Sequence, residues 1–323
     1  MTMLTTALGA VALAQGGDDP EWRLIDRRST ASMPWSVTVT SDGDTLYVAH
    51  VGVGRRGRDN VWRLSADSLE RQARSELQGH AVETALTRDG GALYVTDSRS
   101  NRLLELDPNS LELRRAIRTS RMPKDFALSP DDRTAYVASW GAGAVDIIDL
   151  ERGKRVETIR TGRHARGVAI TPDGSRVLVM NFGGKSVSLI DTHHRVRVGQ
   201  VRPCRSPRHG AVSRDGTRVY VSCHGDASVV VLDPRTGENV RRVRVAAGPK
   251  TLVLSPDGTT AAVAAERANA VSLIDLETGE TRRLSVKGRG PCGLAFSPDG
   301  RRLYVTARRS HELLVYERDR ADG

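Results

Sequence analysis

The stretch RGVAITPDGSRVLVMNFGGKSVSLIDTHHRVRVGQVR, residues 166–202, decides the fold. GVAIT and RVLVM alternate around Pro172-Asp173-Gly174, a hairpin turn in which glycine supplies positive φ. SVSLID is a third alternating strand that ends in a turn at Asp191, and RVRVGQV is a fourth. Aligned on the acid of the first turn, the pattern recurs at Asp42, Asp89, Asp131, Asp173, Asp215, Asp257 and Asp299. The spacing is 47 residues once and then 42 five times in succession. Four short strands per unit and seven units predict an all-β chain, a seven-bladed β-propeller of four-stranded blades.

The ends of the chain predict how the ring closes. The seventh unit stops after its third strand, ELLVYE (312–317), while EWRLIDRR (21–28) belongs to no unit. The N-terminal segment is therefore expected to supply the missing fourth strand. Residues 15–323 read as one propeller domain. Residues 1–14, MTMLTTALGAVALA, have the apolar stretch and small-residue ending of a secretory signal cut after Ala14, without a preceding Lys or Arg. A periplasmic or extracellular location follows as an expectation. Nothing else approaches the ~20 apolar residues of a membrane span, and a monomer is expected.

Aromatics make up 4% of the 323 residues, so the core must come from Val, Leu, Ile and Ala, which suits strands. The net charge of +10 is uneven. Residues 151–250 hold 20 Lys and Arg against 8 Asp and Glu, a net of +12, so the remainder carries 29 against 31, a net of −2. A basic face is the reading this suggests. The three cysteines match no zinc or haem spacing, and Cys204 with Cys223 is the expected pair if one disulfide forms.

The residues also resemble a known family. LYVT at 93–96 and 303–306, VLVMN at 177–181, the S-P-D-G turns and the SLID strands are similar to YVTN-type β-propeller repeats over residues 30–320. The resemblance implies the propeller fold. It implies no single function, because the family spans surface, periplasmic and nucleic-acid-binding members and relatives of quinoprotein and haem enzymes. Five tyrosines, Tyr47, Tyr94, Tyr136, Tyr220 and Tyr304, share one repeat position and read as blade packing.

Function is expected where the copies differ, in the loops around one mouth of the channel. Seven residues before each aligned acid stand Trp35, Val82, Lys124, Arg166, Arg208, Lys250 and Cys292. One residue later come Ser36, Glu83, Asp125, Gly167, His209, Thr251 and Gly293. Nine residues after the acid stand Val51, Ser98, Trp140, Phe182, His224, Glu266 and Arg308. The first unit adds Arg55, Arg56 and Arg58 in an enlarged loop. Lys124, Arg166, Arg208 and Lys250, with Trp140, Phe182 and His209, suit an anionic and stackable ligand such as a polysaccharide, a nucleotide or single-stranded nucleic acid, or a protein partner. The competing reading pairs these cations with Glu83, Asp97, Asp125 and Glu266 as a solvated rim.

Two further constellations bear on function. Glu83, Asp97 and Asp125 come from adjacent units and could hold calcium or another divalent cation, as in a metal-dependent, lactonase-like hydrolase. Cys223 beside His209 and His224 could be a nucleophile or a soft-metal site. His80 and His164 share a position two blades apart, and His193-His194 lie in a turn on the far face. The leading expectation is a non-catalytic binding propeller without cofactor. The alternatives are that hydrolase and a scaffold subunit for a redox partner.

Overall fold

Each first turn of the repeat is built the same way. Thr171 Oγ1 donates to Asp173 Oδ1 at 2.5 Å, the same oxygen accepts the Ser175 N–H at 3.0 Å, and Gly174 follows at φ +72°. Serine hydroxyls make the equivalent bond to Asp131, Asp215, Asp257 and Asp299 at 2.5–2.6 Å. These bonds hold the turn carboxyls below their usual range, to about 2 at Asp215. The acid at the repeat position is thus a turn-former that stays charged.

The computed structural model describes residues 19–52, 60–75, 77 and 79–319. Twenty-eight strands, β1 (Trp22–Ser29) to β28 (Glu312–Arg318), form seven four-stranded antiparallel sheets. Blades 1 to 6 each use four consecutive strands. Blade 4, for example, is β14 (Ala165–Ile170), β15 (Arg176–Asn181), β16 (Ser186–Asp191) and β17 (Val196–Val201). In blade 7, β1 joins β28 from the far end of the chain, completing a sheet with β26 (Pro291–Phe296) and β27 (Arg302–Ala307). The register runs from Trp22 opposite Arg318 to Ser29 opposite Glu312. The expected closure is therefore the observed one.

Packing explains the burial of each strand. Second and third strands are covered on both faces by neighbouring blades, so VLVMN and SVSLI are buried almost continuously instead of alternately. Outer strands lie at the rim, and Val196 and Val198 are about half exposed. Tyr47, Tyr94, Tyr136 and Tyr304 are buried between blades, while Tyr220 is partly covered.

Cys204 and Cys223 form a disulfide with Cα atoms 6.0 Å apart. It ties the loop entering blade 5 to the end of that blade's second strand. Across a separation of 19 residues, the chain-entropy account gives such a link about 3 kcal/mol. The bond also corrects one expectation: Cys223 has no thiol to offer His209 and His224. His193 and His194 lie exposed on the turn face, with His194 beside Asp191 at 3.1 Å.

Candidate functional site

The innermost strands of blades 3, 4 and 5 bring Lys124, Arg166, Arg208 and His209 to one channel mouth. There they line a pocket with Trp35, Val82, Glu83, Asp125 and Thr251. Hydroxyl-to-carbonyl bonds between blades fix the backbone at two of the aligned cation positions. Thr96 Oγ1 donates to the Lys124 carbonyl at 3.0 Å, and Ser222 Oγ donates to the Lys250 carbonyl at 2.6 Å. Blade 4 has glycine at 167 because a Cβ there would lie 2.5 Å from the Arg208 carbonyl oxygen. The pocket holds about 20 Å³, room for a water molecule or the head of an anionic group and not for a whole sugar ring.

The charges in this pocket are poorly compensated. Among the described residues, the side chains of Lys124, Arg166 and Arg208 make no hydrogen bond or ion pair. Burial, followed by the neighbouring guanidinium groups, lowers Lys124 to about 8 and Arg208 to about 9. Burial also lowers Arg166. The nearby acids give little relief, because burial raises both Glu83 and Asp125 well above the usual carboxyl range, Glu83 further through repulsion from Asp125. Asp125 is committed to the backbone, accepting Phe126 N–H at 2.8 Å and Val168 N–H at 3.1 Å. Burial and the two arginines depress His209 to about 4. Its Nδ1 accepts the Leu252 N–H at 3.4 Å, which leaves Nε2 as a donor.

Lys250 stands apart from its three aligned counterparts. Its Nζ lies 2.7 Å from Glu266, which also takes Arg308 at 2.9 Å and Arg309 at 3.5 Å. Lys250 is buried, with Nζ 3.8 Å from the Cys292 sulfur. One carboxylate thus answers three cations, and the expected pairing of cation with acid holds for Lys250 alone among the four aligned cations, in a buried pair and not on a solvated rim.

The rings are arranged differently from an open stacking platform. His164 lies flat on Trp140, with centroids 4.2 Å apart at 3°. Phe182 sits between Trp140 and His224, at 5.5 and 5.9 Å. The Arg166 guanidinium lies over both Trp35 and Trp140, at 5.7 and 5.6 Å. Trp140 and Phe182 therefore engage other residues of the chain. Trp35 is the residue that the sequence reading passed over, and Lys250 and Arg308 also lie over it at 5.0 and 5.1 Å. It stands at the cation position of blade 1, so the repeat alignment already marked it as facing the channel.

The three acids considered for a metal do not converge. Asp97 turns back on its own loop, accepting the His80 and Arg99 N–H groups at 2.9 and 3.0 Å and the Ser100 hydroxyl at 2.6 Å. Among the described residues, no three His, Cys, Asp or Glu side chains are grouped to hold a metal ion. His80 and His164 remain on separate blades, as their spacing required. Residues 1–14 and Arg55, Arg56 and Arg58 lie outside the described residues. No helix in the described residues is long and apolar enough to cross a membrane.

A four-stranded, seven-bladed propeller with a cation-lined channel mouth is the class that fold and site define. The family model "Lactonase, 7-bladed beta-propeller" matches residues 123–323, well over half of the chain. The chain belongs to this family. A structure of Kuenenia stuttgartiensis hydrazine synthase is similar with a TM-score of 0.79 at 21% identity, covering 98% of this chain and 100% of that one. At that identity the likeness is one of fold. No curated protein matches the chain.

Proposed function

We propose that the channel mouth binds a small anionic group, a carboxylate, phosphate or sulfate, between Lys124, Arg166 and Arg208. One observation carries this reading: three partly buried cations converge on a small pocket, and among the described residues none of their side chains has a hydrogen-bond or ion-pair partner, while the two acids beside them are pushed toward their neutral forms. Each pays a burial cost that an incoming anion would offset with charge-assisted hydrogen bonds. In this reading the protein is an exported, monomeric propeller of the YVTN type that recognises its ligand without a metal.

Sulfate is a suitable probe because its charge is constant from pH 6 to 10. Lys124 carries its charge below about 8 and loses it above. Sulfate affinity measured by calorimetry should fall roughly tenfold between pH 7 and 9.5, a change worth about 1.4 kcal/mol. Lys124→Arg should remove the part of that fall centred near pH 8 and leave the part near pH 9, where Arg208 loses its charge. Sulfate binding that is absent at pH 7 would end the proposal.

A second reading is favoured by the family match together with Glu83. In it, the same cations draw in the anionic group of a lactone whose ring stays at the mouth of the recess, and the His209 Nε2–H donates to the carbonyl oxygen at the ring's inner edge. Water adds to the carbonyl carbon and the ring C–O bond breaks. The Glu83 proton goes to the leaving alkoxide oxygen, and the proton from water returns to Glu83. Hydrolysis of carboxylate- or phosphate-bearing lactones should then be measurable and fall at least ~100-fold in Glu83→Gln. Equal rates for the two proteins would dismiss this reading and leave the binding site intact.

A further inference from the structure

The two faces of the ring carry opposite charge. On the turn face stand Asp131, Asp173, Asp215, Asp257 and Asp299, held ionised by their hydroxyl partners. That acidity is explained by turn chemistry. The mouth face has no such structural cause for its charge, yet its loops expose Arg99, Arg121, Arg163, Lys185, Arg267 and Arg289. Arg121 and Arg163 are fixed at the rim by bonds to the Gly141 and Gly183 carbonyls, at 2.9 and 3.1 Å. None of the six makes an ion pair among the described residues. The only acids in the described mouth loops are Asp226 and Glu266, and both are already matched, Asp226 by Arg205 at 2.5 Å. Several of these cations lie outside residues 151–250, so the ring gathers basic residues from the whole chain onto one surface.

We infer that the mouth face docks a linear acidic polysaccharide, a chain of carboxylate- or sulfate-bearing sugars lying across the rim. This deepens the small-anion reading and rests on it, since one acidic group of the polymer would occupy the pocket. A single anion needs only Lys124, Arg166 and Arg208. The surrounding cations fit further charges of the same ligand at the same surface. The occupant must be thin and flexible enough to lower one charge into a recess of about 20 Å³. A duplex, with phosphates fixed on a stiff rod, does not meet that requirement. Single-stranded nucleic acid gains much of its affinity from bases stacking on open rings. Here Trp140 is engaged by His164 and Arg166, and Phe182 by Trp140 and His224. Recognition by charge alone favours the acidic sugar polymer.

The test uses the full chain with fluorescently labelled polygalacturonate oligomers, a labelled dT20 and sulfate. Polygalacturonate should bind at 50 mM NaCl and lose at least 100-fold in affinity by 300 mM. The triple variant Arg163→Glu, Lys185→Glu, Arg267→Glu should lose at least 100-fold for the polymer, while sulfate affinity at the pocket changes less than threefold. The inference is overturned by any of three results: no polygalacturonate binding at 50 mM NaCl, at least tenfold preference for dT20, or a triple variant that binds the polymer like the wild type. In each of these cases intact sulfate binding would leave the small-anion site standing. Loss of sulfate binding in the wild type would instead remove the reading beneath it.

Discussion

Deleting residues 21–29 should lower the thermal midpoint by at least ~10 °C, or prevent folding altogether. This segment contains β1, the fourth strand of blade 7 and the point where the ring closes. Trp22 is 6% exposed and packs at 6.1 Å from Phe296, within the cluster that contains Tyr316 and Leu314. Emptying a buried Trp site alone costs about 3–5 kcal/mol. Removing the strand also leaves the β28 edge unpaired and blade 7 open. Glu21 adds ion pairs to Arg282 of blade 6 at 2.6 Å and to Arg318 at 3.1 Å, though exposed pairs contribute little. With about 2–4 °C lost per kcal/mol in larger domains, the sum exceeds 10 °C. Scanning calorimetry decides the matter, and a truncated chain melting within 3 °C of the full one would refute closure by this strand.

The second large effect is expected at the pocket. Replacing Arg166 and Arg208 together with Ala should weaken sulfate binding by at least 100-fold. Hydrogen bonds to charged groups contribute about 1.5–3 kcal/mol each, so losing two removes roughly 3–6 kcal/mol. The same double variant should melt no lower than the wild type, because relief of two crowded, mutually repelling cations offsets the loss of the Arg166 contacts with Trp35 and Trp140. Lost binding combined with undiminished stability marks a site that the fold tolerates for its function. Sulfate affinity within threefold of the wild type would show that the arginines do not hold the anion.

Much of this was legible in the sequence, for reasons particular to repeats. Asp173 and its six counterparts need a hydroxyl two residues before or a free backbone N–H after, so their spacing reported the turns directly. The unclaimed EWRLIDRR and the incomplete seventh unit announced β1 and its partner. The alignment also placed Lys124, Arg166, Arg208 and His209 at one mouth, since equivalent positions in a ring face the same axis.

What could not be read was how neighbouring side chains divide their partners. Lys250 has the same repeat position as Arg208, but Glu266 in its own blade neutralises it. Asp97 sits one blade from Asp125, yet caps the loop of residues 98–100. Trp140 and Phe182 looked available until His164, His224 and Arg166 were seen against them. Each outcome depends on rotamers and on distances between blades, which residue spacing does not encode. The charge of residues 151–250 suggested a basic face but not its members, because Arg99, Arg121, Arg267 and Arg289 lie elsewhere in the chain and join it only when the ring closes.

The central claim is that an anion sits among Lys124, Arg166 and Arg208. Diffraction from crystals soaked in selenate, collected at the selenium edge, tests it most directly. The account predicts an anomalous peak in the channel mouth within hydrogen-bonding distance of the Lys124 Nζ and the two guanidinium groups. Peaks confined to the outer rim, with water alone in the pocket, would contradict it.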